Sequence, residues 1–240
     1  MAKAFKSPTL KVRLATAMGL LIRHATYITE QLSQAGLVDA LSTMVQDKHE
    51  SVRRRSCATL GELLFYVATQ SKQDGAVAAA GGVWTVPGNV FGVLVRCLRD
   101  TDEIVQHYAA KSIENMATAA SQEYFSRLCR SDTVSELLTV VNISSSDGLR
   151  STAISAIARL IKRSPSLSLV APLVEKHGVR WLMEAMVESH PKIQQAALTI
   201  LLQALQDPSS RLVKSLESER ALTQVRSPKL TVAFSQSSCT

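Results

Sequence analysis

Apolar residues recur along this chain with a helical period, and the pattern repeats itself. Five segments align without internal gaps: VRLATAMGLL from Val12, VRRRSCATLGELL from Val52, VQHYAAKSIENMA from Val105, LRSTAISAIARLI from Leu149 and IQQAALTILLQAL from Ile193. Each opens on an apolar residue, with a small residue four positions on and another apolar residue eight positions on. The small set is Thr16, Ser56, Ala109, Ala153 and Ala197; the second apolar set is Leu20, Leu60, Ile113, Ile157 and Leu201. At about 100° per residue these positions share one helical face, and the small residue lets a neighbouring helix come close.

A second helical pattern precedes four of these segments, starting at Leu37, Val90, Val134 and Val179. Leu37, Ala40, Leu41, Met44 and Val45 show its spacing. A third, shorter helix fits before the second at Tyr27–Ala35, Gln122–Arg130 and Leu167–Lys176, with Gly36 and Gly178 placed where a left-handed residue closes a helix. Starts within each pattern recur at 40 to 53 residues, close to the roughly 40–47 of armadillo and HEAT arrays. Three helices per repeat, with a glycine between the first and second, favour armadillo over the two-helix HEAT unit.

These patterns predict an all-α chain, a right-handed superhelical solenoid of the armadillo/HEAT type with strand below about 5% of residues. The repeat domain is expected over 9–224, in about four repeats that are partial at both ends, with a flexible tail over 227–240. The long interval holds an insertion at 70–88, QSKQDGAVAAAGGVWTVPG, whose Gly-Gly and Pro-Gly pairs mark a loop. Trp84 within it either folds back on neighbouring helices or anchors a partner. Neither end supplies a polar cap, so self-association through uncapped solenoid ends is expected.

Composition narrows the classes. Hydrophobic residues make up 46% of the 240, which excludes disorder throughout. No apolar run reaches the roughly 18 residues of a membrane span, and no secretory signal opens the chain. The first 29 residues hold no acid and several cations, as a mitochondrial transit peptide would, but the segment fits the repeat. Cys57, Cys97, Cys129 and Cys239 lie far apart without metal or redox spacing and read as reduced, mostly buried thiols of a cytoplasmic protein.

No catalytic motif is present. There is no phosphate-cradling glycine loop, no nucleophile elbow, no zinc-protease helix and no kinase catalytic segment. The five histidines form no pair at metal-ligand spacing. No cofactor is expected. Asp102 and Glu103 open a helix, where acids complement the dipole.

Charge is uneven. Residues 1–60 hold nine Lys/Arg against four acids within a net charge of +7. The densest spot is Lys48, His49, Arg53, Arg54 and Arg55. Such a run is either a solvated helix face or a docking patch for an acidic partner such as a tubulin tail. Nucleic acid is disfavoured, since no aromatics interleave with the cations.

The segments Val12–Ile28, Val52–Gln70, Trp84–Gly88 and Val105–Thr118, and in particular GELLFY followed by WTVPG, resemble the helical-repeat region of the unc-51-like kinase four / RUNKEL family, relatives of Fused kinases. The likeness spans roughly 10–206. It implies a piece of a protein that pairs a kinase-like domain, often a pseudokinase, with an armadillo/HEAT array in cilia or dividing cells. None of the kinase-like domain is in this sequence. The resemblance therefore implies a non-catalytic scaffold in a microtubule- or cilium-associated assembly, or alternatively the regulatory arm of a serine/threonine kinase or pseudokinase. An importin-like cargo receptor is disfavoured, because such receptors carry an asparagine ladder on their third helices. Here only Asn115 stands at such a position; the equivalents are Ile22, Glu62, Arg159 and Gln203. Lys48, Arg53, Arg54, Arg55, Trp84 and Asn115 are the candidate protein-binding residues.

Overall fold

The computed structural model describes residues 6–24, 36–70, 86–164, 183, 186–187, 191–205 and 214. Among them run the helices α1 (Pro8–His24), α2 (Leu37–Met44), α3 (Glu50–Gln70), α4 (Asn89–Arg96), α5 (Glu103–Ala119), α6 (Gln122–Leu128), α7 (Ser131–Ile143), α8 (Asp147–Arg163) and α9 (Pro191–Leu205). A single 3-10 turn, Cys97–Arg99, extends α4. No strand occurs among the described residues.

Local chemistry sets the helix ends. Proline opens α1 and α9, where its missing N–H is no loss. Gly36 takes φ 71 immediately before α2, the left-handed geometry expected of it. Asp102 caps α5 by accepting the Ile104 N–H, and Ser146 caps α8 by accepting that of Leu149.

The repeat read from the sequence becomes a stack. α1 packs on α3, α3 on α5, α5 on α8 and α8 on α9, so the third helices form one continuous layer. The second helices back them, α2 against α3 and α7 against α8. Among the described residues, α6, α7 and α8 make one complete three-helix repeat. Its first helix buries Tyr124, Phe125 and Leu128, and Arg163 of α8 lies 4.3 Å over the Phe125 ring while donating to the Ala117 and Ala120 carbonyls.

The inward face holds as read in α3, α5 and α8, where Val52, Ser56, Leu60, Val105, Ala109, Ile113, Leu149, Ala153 and Ile157 are all buried. In α9, Ala197 and Leu201 are buried. In α1 the face is different. Ala15, Gly19 and Ile22 point inward, while Leu20 is 50% and Leu21 67% exposed. The physical reason is that α1 meets the layer through its glycine: a Cβ on Gly19 would lie 3.1 Å from Thr59 Oγ1. That approach turns Leu20 outward.

A closer contact joins α3 to α5. A Cβ built on Gly61 would lie 1.9 Å from Ser112 Oγ and 2.8 Å from Ser112 Cβ. Only glycine lets the two helices come this near.

Candidate protein-binding groove

An open groove of about 750 Å³ runs over α5, α8 and α9, lined by Lys111, Glu114, Thr118, Ser155, Arg159, Lys162 and Thr199, among others, with the small, buried Ala117 and Ala158 at its floor. Its centre is Glu114, whose side chain is 9% exposed. Lys111 Nζ donates to one carboxylate oxygen at 2.7 Å. Ser155 Oγ donates to the other at 2.7 Å, and Arg159 Nε lies 3.3 Å from it. Burial works to raise this carboxyl, but the Lys111 and Ser155 hydrogen bonds and the two cations outweigh it and hold it below the ordinary glutamate value. Arg159 is braced again by Thr118, whose hydroxyl accepts its Nη1 at 2.6 Å. Lys162 is exposed, one helical turn beyond Ala158.

The Lys48–Arg55 run is disposed differently. Arg53 is 15% exposed and makes a two-pronged ion pair with Asp100 at 2.8 and 2.9 Å, while also donating to the Asp47 and Lys48 carbonyls. Arg54 donates to Asp102 at 2.6 Å and lies 3.4 Å from Glu50. Asp102 is pulled below the usual aspartate value, the Arg54 and Ile104 hydrogen bonds overcoming its burial. A parallel strut one repeat earlier joins Lys11 to Asp47 at 2.5 Å. So Arg53 and Arg54 tie α3 to the turn before α5, and Lys48 and Arg55 remain as exposed cations.

Asn115 is exposed on α5 but does not line the groove; Lys111 and Glu114 do. Of its repeat equivalents, Ile22 is buried, Glu62 is paired with Arg23 at 2.5 Å, and Arg159 is held as described. Trp84 lies outside the described residues, as do the 227–240 tail and Cys239. Val86, two residues on, is buried and its carbonyl accepts from Arg127. Cys57 and Cys97 are buried free thiols, and the hydrogen bond with Cys97, reinforced by burial, pushes Cys57 upward. Among the described residues no His, Cys, Asp or Glu cluster could hold a metal ion, and no helix is long and apolar enough to cross a membrane.

A layer of third helices backed by second helices, with a groove on its open side, defines an armadillo/HEAT-type repeat domain. It shares that fold with a designed armadillo repeat protein (TM-score 0.62, 19% identity, 93% of both chains) and with a second one solved with the peptide (KR)4 (TM-score 0.63, 16% identity, 93% of both chains). No protein-family model matches the chain. In sequence it is a relative of the serine/threonine-protein kinase RUNKEL of Arabidopsis thaliana, 32% identical over 211 residues covering 83% of this chain. It is likewise related to the serine/threonine-protein kinase ULK4 of Mus musculus, 31% identical over 198 residues covering 80%. The chain spans 15% and 14% of those relatives' lengths. The resemblance read from the repeat segments thus holds over about four-fifths of the chain.

The groove residues Lys111, Glu114 and Lys162 were not singled out by the sequence pattern. The i, i+3 spacing of Lys111 and Glu114 signals a helical ion pair, but the partners that make it a site, Ser155 and Arg159, lie more than forty residues away.

Proposed function

We propose that this chain is a non-catalytic protein-binding scaffold whose third-helix layer takes up an extended segment of another protein. The observation that carries the reading is the open groove over α5, α8 and α9, with small residues at its floor and hydrogen-bonding side chains along its walls. A long, open trough suits a peptide backbone better than a compact small molecule, which wants an enclosed pocket. The peptide held by a designed armadillo repeat protein of the same fold supports this use of the surface. On this reading the scaffold serves a cytoplasmic, microtubule- or cilium-associated assembly, as the family resemblance of its repeat segments implies; kinship with RUNKEL and ULK4 supports the repeat scaffold itself. Exposed Leu10, Leu20 and Leu21 on α1 give self-association a surface as well.

The test is a photo-crosslinking amino acid placed at Thr199, in the groove, or at Gly92, which is exposed on α4 away from it. In extracts of dividing or ciliated cells the Thr199 variant should give discrete adducts containing tubulin or a microtubule-associated protein, and the Gly92 variant should not. Equal adducts from both positions would remove the groove from the account. A second reading, that the repeats form the regulatory arm of a kinase or pseudokinase, is favoured by the relatives' names and the small share of their length matched here. A kinase-like reading frame upstream in the same transcript decides for it.

A further inference from the structure

Building on the groove as the binding surface, we propose that it selects acidic, extended protein segments, and that Lys162, a turn beyond Arg159, reads their carboxylates, with Lys111 toward the other end of the groove. The inference rests on how charge is consumed. Among the described residues, four cations (Lys111, Arg159, Lys162 and Arg163) line the groove against one carboxylate, Glu114. Both oxygens of Glu114 are engaged from within, by Lys111 on one and Ser155 and Arg159 on the other. Among the described residues no lining carboxylate is left to receive a lysine or arginine from a ligand, so a basic peptide meets repulsion there. Lys162 is exposed and makes no hydrogen bond or ion pair with any described residue. Arg159 spends Nη1 on Thr118 and Nε on Ser155 and Glu114, and its Nη2 bonds no described residue.

Glu114 then has a defined part. It is the counter-charge that lets Lys111 and Arg159 converge without mutual repulsion, leaving the groove with a surplus of positive charge. That surplus steers a negatively charged segment and sets its specificity. Single-stranded nucleic acid, the other polyanion, fits less well: among the described residues the lining holds no aromatic side chain on which a base can stack. The Arg53–Arg55 run is the weaker site for the same ligand, because two of its three guanidiniums already face aspartates.

Fluorescence anisotropy with the full chain tests this, using three labelled probes: a peptide of alternating Glu and Gly, a Lys/Arg-rich peptide and oligothymidylate. The Glu peptide should bind, more weakly as salt rises, and the other two should not. Lys162→Glu should weaken that binding about tenfold and Lys162→Gln by less, as expected for an exposed steering charge. Arg55→Glu, at the weaker site, should change it far less than Lys162→Glu does, and circular dichroism should show all variants folded. No binding of the Glu peptide, equal binding of either other probe, or indifference to Lys162→Glu would each overturn the proposal. Crosslinking from Thr199 to a partner segment free of acids would end the acidic selectivity while leaving the groove's binding role standing. No groove adduct at all would end both.

Discussion

Two seams in the same layer of helices show how one residue changes what a repeat can do. Nine positions after Val52, α3 carries Gly61; nine positions after Val105, α5 carries Glu114. At the first seam glycine brings α3 onto Ser112 of α5, and the rim is closed by Arg53 on Asp100 and Arg54 on Asp102. At the second, glutamate fills the same turn, gathers Lys111, Ser155 and Arg159, and leaves a groove beyond them. The first seam lies in the more basic stretch of sequence, yet its arginines are spent on holding repeats together. The second has fewer cations in a row and offers more of them to solvent. Where a basic surface lies is decided by pairing, not by local density of Lys and Arg.

The sharpest way to break this contrast is to remove the glycine. Gly61→Val places carbon where Ser112 already sits, and we expect a loss of about 3 kcal/mol, the upper part of the range for overpacking a tight interface. Urea unfolding reads it directly. A double variant adding Ser112→Gly should lose less than the two singles summed, since the groups are in contact. Additive losses would mean that the seam is not set by this approach.

Next in size is the rim. Arg53→Ala removes a two-pronged charged pair and two carbonyl contacts and leaves Asp100 without its counter-ion, a loss of about 2 kcal/mol. Thermal melts of Arg53→Ala beside Arg55→Ala should separate clearly. If they coincide, Arg53 is not a strut.

Acid titrates both seams together, with a smaller and graded effect. Asp47, Asp102 and Glu114 all lie below their ordinary values of 3.8, 3.8 and 4.5, each because ion pairs and hydrogen bonds outweigh burial. A carboxyl that ionises more readily in the folded state adds stability that is fully present above the unfolded value. That stability is lost as pH falls through the folded value. The urea midpoint should therefore stay level from neutrality down to about pH 5 and fall below about pH 4. Glu114→Gln should flatten part of that slope, and a midpoint that rises on acidification would contradict the assigned shifts.

Much of the fold was legible because it is written in local periodicity. The inward faces of α3, α5 and α8, the cap at Asp102 and the turn at Gly36 all follow from spacing within one helix or its flank. The face of α1 was not, because Gly19, rather than the small Thr16, decides how that helix meets its neighbour. The site was less legible still. Arg53 and Asp100 stand 47 positions apart across the insertion, and Glu114 and Ser155 stand 41 apart. A run of arginines looks the same in sequence whether its partners are solvent or aspartates one repeat away. Asn115 was read from an alignment position, and the residue before it is the one that the neighbouring helix reaches.

The smallest expected effect on stability separates binding from folding most cleanly. Arg55 and Lys162 are both exposed, and neither pairs with a described residue. Substitutions at such positions usually change stability by no more than about 0.5 kcal/mol, so Arg55→Glu and Lys162→Glu should each melt within a degree or two of the parent chain. The two differ only in which seam they face. Arg55 sits beside arginines that aspartates have neutralised, and a new glutamate there joins a balanced field. Lys162 sits in a groove whose only lining acid among the described residues is already satisfied, so the reversal changes the sign of its most available charge. Matched melts with unequal binding to an acidic peptide would assign the difference to the groove. A large drop in melting temperature for Lys162→Glu would instead show that Lys162 supports the fold.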